Sequence, residues 1–112
     1  MRLIGSRTES LRREELVQSG ITIKKNEAID YFLNEKFSPI KSAYVLACTP
    51  EQGEDFYRII VNGDIVVEFE ISRADSTITD IEEISVEDYS KLIKSKSDKL
   101  DLIIALDLAN NK

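Results

Sequence analysis

Hydrophobic positions along the chain follow a helical spacing at both ends and strand-like patterns in the middle. In the first third, the apolar side chains recur every three or four positions, which is typical of amphipathic helices. We predict a first helix from Ser6, which begins a capping-box pattern, to Gly20, a residue type that commonly follows a helix end. A second helix follows Asn26 and ends before Ser38-Pro39, because a residue preceding proline avoids the helical region.

The middle of the chain predicts four strands joined by polar turns. Residues 42–49 are apolar on both faces, which favours a central strand. Residues 56–61 and 65–73 flank Asn62-Gly63, a strong short-range hairpin signal. The fourth strand, residues 77–84, has isoleucines at every third position, and this break in alternation indicates a bulge or an irregular edge.

The loop of this hairpin decides which of its side chains face water. A two-residue loop would place Arg58 among apolar side chains, and a buried unpaired guanidinium is strongly destabilising. A three-residue loop, Val61-Asn62-Gly63, moves Arg58 to the outer side beside Glu68 and Glu70, where opposite charges can pair. We therefore choose the second register. Its inward side chains are Tyr57, Ile59, Ile65, Val67, Phe69 and Ile71.

Two helices are predicted to end the chain. Ser85 begins a capping-box pattern, with Ile84 placed to contact Tyr89 one turn later. Residues 100–109 are nearly all apolar, so periodicity does not separate a helix from a central strand, but their leucine and alanine content favours the helix. The predicted fold is α+β, one domain over residues 1–112. It has two N-terminal helices, a four-stranded antiparallel meander and two C-terminal helices packed on the sheet.

Composition excludes most catalytic chemistry. The chain contains no histidine, so it has neither imidazole acid/base catalysis nor a zinc site that needs histidine. Its 4 glycines are too scattered for a phosphate-binding loop, and Cys48 is expected to be a small core residue because nothing nearby activates it. Asp64, Glu68 and Glu70 resemble a nuclease carboxylate set, but glutamate stands at position 70 where such a set needs lysine. We expect no enzymatic activity, no cofactor and no metal.

Nucleic acid and membranes are also disfavoured as partners. The arginines near the N-terminus alternate with glutamates that can neutralise them within the first helix, and the whole chain has a net charge of −6. No apolar run approaches the ~20 residues of a membrane span. One cysteine permits no internal disulfide, and the N-terminus lacks a signal-peptide pattern, so we expect a cytoplasmic protein.

Acidic charge is concentrated in one segment. Residues 51–88 carry 12 acidic and 2 basic side chains, a net charge of −10, whereas residues 1–50 and residues 89–112 each have a net charge of +2. A negative surface that contains aromatic and β-branched side chains is typical of a docking site for a basic protein. An ordinary acidic surface that aids solubility is an equally good interpretation. On the chosen register the outer face carries Glu68 and Glu70, flanked by Phe56, Ile60 and Val66. The predicted partner-binding residues are Phe56, Arg58, Glu68, Glu70, Asp80, Glu82 and Glu83.

In its size, acidic charge and α+β plan, the whole chain resembles the immunity proteins of bacterial toxin–immunity pairs, including those of contact-dependent growth inhibition. The resemblance implies stoichiometric inhibition of a basic, nuclease-type toxin, whose lysines and arginines would face the acidic residues while Phe56 anchors the contact. The alternative is a regulatory or structural subunit, or a small-ligand module with a pocket between sheet and helices. That pocket would be lined by Tyr31, Tyr44, Tyr57 and Tyr89.

Overall fold

The computed structural model describes residues 2–110, with side chains from residue 9 onward. The helices and strands, in chain order, are α1 Arg2–Lys25, α2 Glu27–Phe37, β1 Ala43–Glu51, β2 Glu54–Val61, β3 Ile65–Ser72, β4 Ile78–Ser85, α3 Val86–Leu92 and α4 Lys96–Asn110. The strands form one antiparallel sheet in the order β1-β2-β3-β4. This confirms the predicted α+β class, with a meander between two N-terminal and two C-terminal helices.

Helix α1 is longer than predicted at both ends. It begins at Arg2, not at Ser6, and it continues through Gly20 to Lys25. The proposed capping side chain of Ser6 lies outside the described side chains. Glycine therefore does not end this helix, and its role is found in the packing of α1 against the sheet.

Strand β1 is an edge strand, not the central strand that its apolar residues predicted. Helix α1 shields its outer edge, where the backbone N–H of Val45 donates a hydrogen bond to Ser19 Oγ at 2.9 Å. A Cβ atom at Gly20 would lie 2.7 Å from the carbonyl oxygen of Ala43 and 3.3 Å from the ring of Tyr44. The missing side chain lets α1 approach β1 closely. The apolar residues of β1 are thus covered by a helix where a neighbouring strand was expected.

Both faces of the sheet carry a hydrophobic cluster. On the face that we call the α4 face, Ile60 and Val66 pack against α3 and α4, whereas on the opposite α2 face, Phe69 and its neighbours pack against α2. Helix α1 contributes Leu16 to the first cluster and Ile23 to the second. Ile60 and Val66 are only 1% and 0% exposed. The expectation that they flank the acidic residues on an open face is wrong, because α4 covers this part of the sheet.

The loop of the β2–β3 hairpin begins one residue later than predicted. Val61 pairs with Ile65, so the loop starts at Asn62 and not at Val61. Asn62 has φ of 56°, and its side-chain oxygen accepts hydrogen bonds from the backbone N–H groups of Lys41 and Ser42 at 2.6 and 3.2 Å. These bonds hold Asn62 outside the ladder. The pairing moves by an even number of residues, so the inward and outward side chains stay as predicted.

The predicted boundaries of α2 and the predicted start of α3 are confirmed. The side chain of Asn26 accepts a backbone hydrogen bond in the first turn of α2 at 3.1 Å, and that helix ends at Phe37. Ser85 caps α3 by accepting a hydrogen bond from the backbone N–H of Asp88 at 3.1 Å. Residues 100–109 lie inside α4, as their leucine and alanine content predicted.

Strand β4 contains the predicted irregularity. Asp80 and Ile81 together oppose the single residue Phe69 of β3, and Asp80 has φ of 54°. Cys48, by contrast, is exposed and does not lie in the core. It lines an open groove between α1 and β1 beside Tyr57, because an edge strand has only α1 to cover it.

Among the side chains described from residue 9 onward, two arginines of α1 pair with α4. Arg12 lies 2.7 Å from Asp101, and Arg13 lies 2.8 Å from Asp107. The Arg13–Glu9 contact, at 3.2 Å, is the one ion pair within the helix, among its described side chains, that matches the predicted neutralisation. These pairs fasten the first helix to the last one.

Candidate protein-binding surface

The helices cover only half of the α4 face. Near the Asn62 loop, α4 lies close to the sheet, with Ala109 and Leu106 beside Gly63. Toward the β1–β2 turn, no helix among the described residues covers the same face, and the side chains there are half-buried or exposed. We call this bare half the acidic surface. It carries Glu51, Glu54, Phe56, Glu68, Glu70, Asp80, Ile81 and Glu82.

Strand pairing brings the carboxylates of this surface together. Glu54 pairs with Glu51 on β1, and Phe56 pairs with Glu70 on β3, so three glutamates gather beside one aromatic ring. Their carboxylate oxygens lie within 4.8 Å of one another. A hydrogen bond to Glu54, loss of hydration and the negative charges of Glu54, Glu51 and Asp80 raise the pKa of Glu70 to about 7. Near neutral pH, Glu70 therefore holds a proton for part of the time.

This group of glutamates is the place where a metal ion could be considered. Glu51, Glu54 and Glu70 each offer one ligand oxygen. Calcium and magnesium take six or more oxygen ligands, and three surface carboxylates supply only part of that set. We assign no metal to the cluster and treat it as part of the acidic surface.

Arg58 marks the boundary between the bare and the covered halves of the α4 face. Its Nε donates to Glu68 Oε2 at 2.6 Å, and its guanidinium lies 5.7 Å from the centre of the Phe56 ring and 5.5 Å from that of Tyr89. Burial is the largest single influence and opposes the charge of Arg58, but the hydrogen bonds and electrostatic attraction of Glu68 and Tyr89 together outweigh it and raise the pKa of the guanidinium. Glu68 is thus already neutralised within the protein.

The other carboxylates of the acidic surface have no such counter-ion. No lysine or arginine nitrogen of the described side chains lies within 4.0 Å of them. Arg73 approaches most closely, but it donates to the backbone carbonyls of Glu51 and Glu54 and pairs with the carboxylate of Asp55. The uncompensated carboxylates are those of Glu51, Glu54, Glu70, Asp80 and Glu82.

Six of the seven predicted partner-binding residues meet on this surface or at its boundary, and five of them line one depression of about 460 Å³. The five are Phe56, Glu68, Glu70, Asp80 and Glu82. The seventh, Glu83, points to the α2 face, where Lys36 of α2 lies 3.2 Å from it. Neighbouring residues of a strand point to opposite faces, so Glu82 and Glu83 cannot serve one surface.

Three members of the surface were absent from the predicted set. Glu51 and Glu54 were assigned to a polar turn, and only the pairing of β1 with β2 shows that their side chains join Glu70. Ile81 is 42% exposed because the bulge in β4 turns it toward the same depression. The signal for Glu51 and Glu54 was present in the sequence, since the two residues flank the two-residue turn Gln52-Gly53, in which Gly53 has φ of 79°.

The tyrosines of the small-ligand hypothesis do not converge on one pocket. A cavity of about 600 Å³ lies between β4 and the segment joining α3 to α4, and Tyr89 is the one tyrosine of the four that lines it. Tyr57 lines the groove beside α1, and Tyr44 lines a third cavity near Gly20. Tyr31 is 68% exposed on α2. A tyrosine-lined pocket between sheet and helices is therefore not found among the residues described.

Comparison with protein-family models, with curated proteins and with solved structures finds no match. Within residues 2–110, no helix combines the length and the apolar character that crossing a membrane requires. The function must therefore be argued from the chemistry of the acidic surface.

Proposed function

We propose that this protein binds a basic protein partner through the acidic surface. One observation carries the proposal: five carboxylates without a counter-ion surround Phe56 and Ile81 on one half of a sheet face. Apolar contact area within a charged rim is the usual composition of a protein interface. Negative charge on one side also speeds the encounter with a cationic partner and discriminates against others.

The partner that suits this surface best is a nuclease-type toxin, with this protein as its cytoplasmic immunity protein. A nuclease must present basic side chains to hold phosphate groups. A small protein with uncompensated carboxylates can occupy such a cleft and block it. The mechanism is stoichiometric occlusion, in which the carboxylates of Glu51, Glu70 and Glu82 pair with toxin cations and Phe56 supplies apolar contact.

The test begins with the reading frames that flank the gene. A neighbouring frame that encodes a basic, toxic domain is expressed and purified, and its nuclease activity is measured with increasing amounts of this protein. We expect inhibition that is complete at one equivalent. A metabolic operon around the gene, or a toxic neighbour whose activity is unaffected, would contradict the proposal and favour a regulatory subunit.

A matched pair of variants locates the interface. Glu51→Lys with Glu70→Lys reverses two charges on the acidic surface, whereas Glu14→Lys with Glu15→Lys makes the same change in net charge on exposed positions of α1. With about 1 kcal/mol for each rim charge, we expect roughly 30-fold weaker binding for the first variant and little change for the second. The difference should shrink at 0.5 M salt, because salt screens exposed charges. Equal affinity of the two variants would remove the acidic surface from the interface.

A further inference from the structure

The two edges of the sheet differ in how they are protected. The outer edge of β1 is shielded by α1, through Ser19 and the close approach at Gly20. The outer edge of β4 has no comparable cover: residues 79–83 are all exposed. In the part of the chain that the structure describes, the backbone groups of residues 79–84 make no hydrogen bonds apart from their pairing with β3. An edge of this kind is a template for a further strand.

The chemistry around this edge is acidic and partly apolar. Residues 78–85 include Asp80, Glu82 and Glu83 and contain no lysine or arginine. Two apolar side chains are exposed here, Ile81 of the strand itself at 42% and Leu92 at the end of α3 at 65%. Leu92 lines the cavity of about 600 Å³ that also opens beside Glu82. A strand added here would therefore meet carboxylates, and its side chains on the α4 face would lie beside an open cavity lined by Glu82, Leu92 and Lys94.

We propose that the outer edge of β4 binds an extended basic segment of the partner as a fifth strand of the sheet. The inference rests on the proposed function, since it assumes a cationic protein partner, and it states how that partner is held. Main-chain hydrogen bonds would supply affinity, and alternating lysine or arginine side chains would supply the match to the carboxylates. A second copy of this chain does not fit, because pairing β4 with itself would place like charges opposite one another.

The bulge limits where the added strand can pair. Asp80 has φ of 54° and interrupts the ladder, so the regular part of the edge is residues 81–85. Along this stretch Glu82 points to the α4 face and Glu83 to the α2 face, where Lys36 pairs with it. Basic side chains of the added strand that point to the α4 face would lie beside Glu82 and continue the contact with the acidic surface.

The test uses a synthetic probe and does not require the natural partner. An acetylated peptide of alternating lysine and valine is titrated into isotopically labelled protein, and amide shifts and hydrogen exchange are followed by NMR. A control peptide has the same charge but proline in place of its central valines, so it cannot donate the main-chain hydrogen bonds. We expect the first peptide to shift the amides of residues 81–85 and to slow the exchange of those that face outward. The control peptide should do neither.

Variants of the protein make the test specific. The double variant Glu82→Lys with Glu83→Lys should bind the first peptide about tenfold more weakly, or weaker still. The α1 variant Glu14→Lys with Glu15→Lys should bind it with unchanged affinity. Equal effects of the two peptides, or shifts confined to the side of Glu51 and Glu70, would overturn strand addition while leaving the acidic surface as the docking site. If neither peptide shifted these amides, strand addition would be refuted, and the bulge and the charges would only protect this edge from pairing with other chains. Failure of the proposed function is seen separately, in the absence of toxin inhibition.

Discussion

Replacing Gly20 by alanine should destabilise the protein, although the same change stabilises most helices. In the interior of an exposed helix, alanine is about 1 kcal/mol more favourable than glycine. Here the new Cβ would lie 2.7 Å from the carbonyl oxygen of Ala43, whereas an ordinary contact needs 3.4 Å. Helix α1 must therefore retreat from β1 by about 0.7 Å.

The cost of this retreat follows from the contacts that it opens. The hydrogen bond from Val45 N to Ser19 Oγ, now 2.9 Å, would lengthen to about 3.6 Å and be lost. Loss of one hydrogen bond costs about 1 kcal/mol, and overpacking against the buried ring of Tyr44 costs about 1–3 kcal/mol. After the gain in helix propensity of about 1 kcal/mol, we expect a net loss of about 1–3 kcal/mol. For a domain of this length, that corresponds to a melting temperature lower by roughly 4–24 °C.

The assay is thermal and urea denaturation followed by circular dichroism. The control is Ser10→Ala, an exposed position of the same helix, where only propensity changes and a gain of a few tenths of a kcal/mol is expected. If Gly20→Ala proved as stable as Ser10→Ala, the close approach of α1 to β1 would be refuted. The edge of β1 would then need another explanation for its protection.

Three further outcomes are expected. The pKa of Glu70 is raised from 4.5 to about 7 in the folded state. Between these two pH values the folded state binds more protons than the unfolded state, so the free energy of unfolding should fall as pH rises through this window. Glu70→Gln should flatten that fall in a series of melts from pH 4 to pH 8, and an unchanged slope would show that Glu70 is not its source. Asn62→Ala should cost about 1–3 kcal/mol in urea denaturation, because it leaves the backbone N–H groups of Lys41 and Ser42 without their acceptor. Asn62→Gly loses the same hydrogen bonds but tolerates the positive φ. A loss of stability smaller than that of Asn62→Ala therefore measures the backbone strain of alanine, whereas an equal loss assigns the whole effect to the hydrogen bonds. Cys48 should react with one equivalent of a thiol reagent in the native state with no change in circular dichroism, and a thiol that reacts only after denaturation would contradict its exposure.

The sequence predicted correctly those helices whose formation depends on residues within one turn of each other. Asn26 and Ser85 cap their helices, and the leucine-rich segment 100–109 is helical, because capping and propensity act within one turn. The faces of β2 and β3 were also predictable. Burying Arg58 without a partner is so unfavourable that it excludes the other register, and the structure pairs Arg58 with Glu68.

Features that depend on distant parts of the chain were not predictable in this way. Gly20 is a common helix terminator, and only the neighbouring backbone of β1 shows why a glycine lies inside α1. The first half of β1 has the apolar composition of a central strand because α1, rather than a strand, covers its edge, and Cys48 lies beyond this cover. The limits of the acidic surface depend on how far α4 reaches across the sheet, and the approach of Glu51 to Glu70 depends on the register of two hairpins.

Alternation along β2 and β3 separates the side chains that would meet a partner from those that hold the sheet together. Phe69 is 0% exposed between Glu68 and Glu70, and on the same α2 face it stacks with Tyr57, which precedes Arg58. An outward substitution at Glu70 therefore leaves the aromatic packing beneath it unchanged, whereas Glu68 must also keep Arg58 paired. Over evolutionary time the carboxylates without an internal partner can be exchanged residue by residue without disturbing this core. Partner choice can then diversify independently of foldability.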